Sequence, residues 1–81
     1  MDAYELRSIE SGFELSGGKL EEPLIYRENE PAPAIHLVGF LSQRDGSELR
    51  IFDRVGQLIR TRSFPATIIM PGAVGGLAGP K

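Results

Sequence analysis

The chain carries one histidine, His36, and no cysteine. A metal ion or an activated nucleophile needs further ligands or an orienting partner, and His36 has neither a second histidine nor a thiol to share one with. It therefore reads as an ordinary residue, on a helix surface or half-buried. Glu21 and Glu22 are adjacent acids, but neighbours on an extended chain point to opposite sides and do not converge on one atom, so the pair reads as a solvated loop. The run Gly72-x-x-Gly75-Gly76-x-x-Gly79 has the glycine density of a phosphate-cradling loop. It lacks the Lys-Ser/Thr of one such motif and the strand-before, helix-after setting of the other. These residues predict no catalytic group, no cofactor and no metal, and the chain is expected not to be an enzyme.

Arginines and large apolar residues, by contrast, collect in one short stretch. Glu48-Leu49-Arg50-Ile51-Phe52-Asp53 and Gln57-Leu58-Ile59-Arg60-Thr61-Arg62 alternate with the period of a strand, on either side of Arg54-Val55-Gly56. Gly56 suits the left-handed position of a three-residue hairpin loop. Such a loop pairs Phe52 with Leu58, Ile51 with Ile59, Arg50 with Arg60 and Glu48 with Arg62. One face then carries Leu49, Ile51, Ile59 and Thr61, and the other carries Glu48, Arg50, Phe52, Leu58, Arg60 and Arg62. The first is the expected core face. The second has an apolar centre rimmed by guanidinium groups, a composition enriched at interaction surfaces.

The hairpin needs a scaffold, and the length of 81 residues limits it to one domain. A composition of 41% apolar and 25% charged residues is that of a folded chain. So small a domain buries only about 60% of the surface its unfolded chain exposes, and without cysteine no disulfide makes up the difference. Oligomerisation is one way to add burial. The absence of cysteine, of a basic leader and of a bilayer-length apolar run leads to the expectation of a cytoplasmic protein without a membrane association.

Residues 4–10 and 13–15 alternate around Ser11-Gly12 and predict a first hairpin, while Pro23-Leu24-Ile25-Tyr26 reads as a short third strand. Asn29-Glu30-Pro31 resembles a helix start, with Asn29 or Glu30 as the cap and Pro31 in the first turn. Helical spacing places Ala34, Leu37, Val38 and Leu41 on one stripe, and Asp45-Gly46 would close the helix. A strand over residues 35–42 competes with it, since Gly39 weakens a helix by about 1 kcal/mol. The expected fold is α+β: a small antiparallel sheet with one helix on one face, in the order β-β-β-α-β-β, with an all-β meander as the alternative. Residues 1–70 form the domain. Residues 71–81, rich in glycine and proline and without periodicity, are expected to be a flexible tail.

The order of elements and the hairpin motifs resemble a family of short bacterial domains whose function is unknown. The resemblance rests on Ser11-Gly12-Phe13-Glu14-Leu15, on Ala34-Ile35, and on Gly46-Ser47-Glu48-Leu49-Arg50-Ile51-Phe52-Asp53 followed by Gly56-Gln57-Leu58-Ile59, spanning roughly residues 4–64. Phe13 stands where that family often has Trp, and Pro33 and Gly39 depart from its Ala- and charge-rich helix. The resemblance implies a fold and no reaction, cofactor or functional residue.

Charge narrows the partner. Residues 1–30 hold eight acids against three bases, net −5, and residues 31–81 hold six bases against three acids, net +3. The expected function is a non-catalytic binding or regulatory domain that works through protein contact, including self-association, at Arg50, Phe52, Leu58, Arg60 and Arg62. The alternative is a nucleic-acid-binding domain in which the arginines follow the backbone and Phe52 stacks a base. The overall charge of −2 and the lack of lysine between Lys19 and Lys81 weigh against it.

Overall fold

The computed structural model describes residues 1–67. Six elements follow in the order expected: β1 (Asp2–Ile9), β2 (Gly12–Gly17), β3 (Leu24–Tyr26), α1 (Ala32–Leu41), β4 (Ser47–Phe52) and β5 (Leu58–Phe64). The strands form one sheet in the spatial order β3-β2-β1-β4-β5. The fold is α+β, but the sheet is mixed. Hairpin connections make β1–β2, β2–β3 and β4–β5 antiparallel, whereas β1 and β4, at the centre, are parallel. The reason lies in α1. Its ten residues carry the chain back along the sheet, so β4 re-enters in the direction of β3 and β1, as a helical crossover requires.

Residues 35–42 are helix up to Leu41, not strand, and this removes the meander alternative. The apolar stripe decides it: Ala34 and Val38 are fully buried, with Ile35, Leu37 and Leu41 packed beside them. The cap falls later than expected, at Pro31 rather than Asn29 or Glu30, with Pro33 in the first turn and no side-chain cap. Proline fits there because its missing N–H would have had no partner inside the helix. The Pro31 carbonyl accepts the first helical bond from Ile35 N–H at 3.0 Å. At the other end Ser42 is the cap, and its hydroxyl bridges the Val38 carbonyl and the Ser47 hydroxyl, which ties the end of α1 to the start of β4 in a buried position.

One sheet face takes the helix. Cross-strand partners there form a row, Leu24, Leu15, Leu6, Ile51 and Arg60, and a second row, Gly17, Tyr4, Leu49 and Arg62. Tyr4, Leu6, Leu15, Leu49 and Ile51 with Ala34 and Val38 make the core. Tyr4 is wholly buried, and its hydroxyl accepts a hydrogen bond from the Lys19 N–H. Gly18, at φ +52°, passes so close that a Cβ there would lie 2.2 Å from the Tyr4 ring, so the turn after β2 tolerates no side chain.

Candidate functional site

The β4–β5 hairpin forms around its loop as the sequence predicts. Gly56 sits at φ +88°, and the Asp53 carboxylate accepts hydrogen bonds from the backbone N–H of Val55 and Gln57 at 3.0 and 2.9 Å. The strand register beyond the loop differs from the expected one. Phe52 does face Leu58, but a bulge follows. Ile51 is then opposite Arg60, Arg50 opposite Thr61, Leu49 opposite Arg62 and Glu48 opposite Ser63. Ile59 is the extra residue. A one-residue insertion reverses every later side chain, because strand side chains alternate with a period of two.

The five residues expected to share one face are therefore divided. Arg50 and Phe52, with Leu58 opposite Phe52, belong to the open face of the sheet. Arg60 and Arg62 pair with Ile51 and Leu49 and lie on the helix side. Ile59 and Thr61, expected in the core, are exposed, Ile59 at 60%. Of the five, Leu58, Arg60 and Arg62 lie on the outer strand β5, and Arg50 and Phe52 lie on β4, between β1 and β5. Among the described residues β5 is an edge strand, and six of its seven residues are exposed, with only Phe64 half-buried.

The open face is not basic. Register places Glu14 beside Arg7 and Glu5 beside Arg50, and Arg7–Glu5 and Arg50–Glu48 form ion pairs at 2.9 and 3.1 Å. Three carboxylates (Glu5, Glu14, Glu48) thus meet two guanidinium groups (Arg7, Arg50). Phe52 does not present a bare ring either, because the Arg7 guanidinium lies 4.8 Å from its centroid. Arg7 escaped the sequence reading because nothing local to residues 4–10 announces a parallel partner 45 positions later.

The helix side of the edge is different. Among the described residues no carboxylate lies within ion-pair distance of Arg60 or Arg62, and residues 68–81 contain no Asp or Glu. The Arg62 guanidinium rests 5.2 Å from the centroid of Phe64, whose ring packs against the core near Gly39 and so holds the arginine along the strand. Leu58, 49% exposed, and Ile59 put apolar area at the start of the same edge.

Elsewhere the chemistry is sparse. His36 is exposed on α1, Glu21 and Glu22 are exposed before β3, and among the described residues no group of three or more His, Asp or Glu gathers. An open depression of about 480 Å³ at the β1–β2 turn is lined by Ser8, Ile9, Phe13, Glu28 and Arg54 among others. Lys19 bridges Asp2 and Asp45 at 2.6 and 2.9 Å. Its ammonium is held well above its ordinary pKa by those hydrogen bonds, and the Asp45 carboxyl is pushed below the usual range by the same contact. The Gly72–Gly79 run and the tail expected over residues 71–81 lie outside the described residues. Among the described residues no helix is long and apolar enough to cross a membrane. The chain matches no family model, no curated protein and no solved structure.

Proposed function

We propose that the chain is a non-catalytic binding domain acting through protein contact along the β5 edge, in the cytoplasm. The observation that carries this reading is the edge itself: a seven-residue strand at the sheet margin, exposed almost throughout, with Leu58 and Ile59 at one end and the Arg60 and Arg62 guanidinium groups beyond them. An edge strand offers a line of unpaired backbone donors and acceptors to an incoming strand, and apolar and arginine side chains beside it supply contact area. The opposite edge offers less, because β3 has three residues and follows Pro23. The nucleic-acid alternative loses support from the acid-rich open face and from the capping of Phe52 by Arg7.

The test is capture of partners by the full chain and by Leu58→Ser with Ile59→Ser, with and without nuclease. The double variant changes exposed residues and should keep its circular dichroism spectrum. Protein capture that survives nuclease and is lost in the variant is the expected result. Capture abolished by nuclease, or unchanged in the variant, would defeat the proposal.

A further inference from the structure

Resting on the protein-contact reading above, we infer that the β5 edge takes up an extended peptide segment carrying carboxylates on alternate residues, added to the sheet as a sixth strand beside Arg60–Phe64. Three observations lead there. First, Arg60 and Arg62 stand two positions apart on one side of the strand, so their Cα atoms are separated by roughly 6.6–6.8 Å along it, the spacing at which a neighbouring strand repeats its own side chains. Second, neither has a carboxylate partner among the described residues, while the arginines of the open face, Arg7 and Arg50, are both paired. Third, Phe64 holds Arg62 in place, which reduces the freedom lost on binding.

The same geometry argues against a second copy of this chain as the occupant. Antiparallel pairing of β5 with itself about Thr61 sets Arg60 opposite Arg62, and pairing about either arginine sets like charge on like charge, which is destabilising. The other edge, Leu24-Ile25-Tyr26, has no acid within the strand; Glu22 and Glu28 flank it six positions apart and do not supply acids on alternate residues. In those antiparallel registers the β5 edge repels a strand of its own kind, and it complements an acidic one. The bulge at Ile59 re-aims the start of β5 and leaves Arg60–Phe64 as the regular stretch.

The probe is an end-blocked peptide, Thr-Glu-Val-Glu-Val-Glu-Thr, titrated against the full chain with the backbone amides followed by NMR. Its glutamates would face the arginines and its valines the Leu58 and Ile59 side. Shifts centred on residues 58–64 are expected, together with no binding of the peptide in which Lys replaces each Glu. Arg60→Gln or Arg62→Gln should each weaken binding roughly two- to fivefold, as exposed pairs do. Arg60→Glu with Arg62→Glu should transfer the preference to the Lys peptide. Methylating alternate backbone nitrogens of the Glu peptide should abolish binding, since it removes strand donors and keeps every charge. The inference is overturned if the Glu and Lys peptides bind alike, if the methylated peptide binds as well as the parent, or if the shifts lie elsewhere. It is also overturned if the chain self-associates through this edge and takes up no peptide. Should Leu58 and Ile59 prove necessary for protein capture while no Glu peptide binds, this inference falls and the protein-contact reading stands. Should capture also be insensitive to both residues, both fall.

Discussion

Ile51 and Ile59 distinguish the bulged register from the regular one with two substitutions. In a regular hairpin the two side chains would be cross-strand partners in the core and their truncations would cost about the same. In the structure Ile51 is 9% exposed beneath α1 and Ile59 is 60% exposed on the edge. Ile51→Ala removes three carbons from the core, which at about 0.8 kcal/mol each is about 2.4 kcal/mol, and the residual cavity raises it to about 3 kcal/mol. For Ile59→Ala the same three carbons are already more than half in water, so the loss is about 1 kcal/mol at most. For a domain of this size each kcal/mol moves the thermal midpoint by roughly 4–8 °C. Thermal and urea unfolding followed by circular dichroism should therefore place the Ile51→Ala midpoint at least roughly 8 °C below that of Ile59→Ala. Equal losses of about 3 kcal/mol would mean that Ile59 is packed in the core and that the bulge is absent.

Phe52→Ser with Leu58→Ser should remain folded, because both residues lie on the open face. The cost should be about 1–2 kcal/mol, from the half-buried Phe52 and its contact with Arg7, as measured by urea unfolding; complete unfolding would place that face in the core. Ser42→Ala should cost about 1–3 kcal/mol because it strands the buried Ser47 hydroxyl, and Ser42→Ala with Ser47→Ala should cost less than the sum of the single changes in the same assay. Lys19, raised by Asp2 and Asp45, contributes stability present below its ordinary pKa and lost as pH climbs past its folded value. Asp45, lowered by Lys19, contributes stability present above its ordinary pKa and lost as pH falls through its folded value. The pH dependence of unfolding should accordingly flatten at both extremes in Lys19→Gln, and salt should shrink the difference because the cluster is exposed; a profile identical to that of the parent chain would show that the bridge does not form.

Much of the fold was legible locally. Alternation in residues 4–10, 13–15 and 48–62, the short apolar run after Pro23, the stripe Ala34, Val38 and Leu41, and the turn glycines are short-range signals of backbone period and permitted φ. They specify five strands and a helix in the right order. The position of Gly56 and the Phe52–Leu58 pairing were equally local, since a loop of given length sets the register next to it. The helix cap was misread because two prolines, Pro31 and Pro33, each satisfy the same N-terminal preference.

The tertiary structure decided three further matters. The parallel pairing of β1 with β4 depends on where α1 returns the chain, and strand sequence carries no signal for that direction. The bulge at Ile59 is a feature of how β5 pairs with β4, which the loop residues do not signal. In the structure Leu49 and Ile51 meet the helix while Arg60 and Arg62 take the positions opposite them at the solvent edge, and a regular register would have put Ile59 there instead. Finally, the pairing of Arg7 and Arg50 with open-face acids follows from the registers of β1 with β2 and β4, whereas the one-residue offset in β5 carries Arg60 and Arg62 to the other side, where neither has a carboxylate partner among the described residues. Five residues chosen for their types are thus divided between two faces and two strands, Arg50 and Phe52 on β4 and Leu58, Arg60 and Arg62 on the edge strand β5, because side-chain direction in a strand is a property of register, which is settled by contacts with the rest of the molecule.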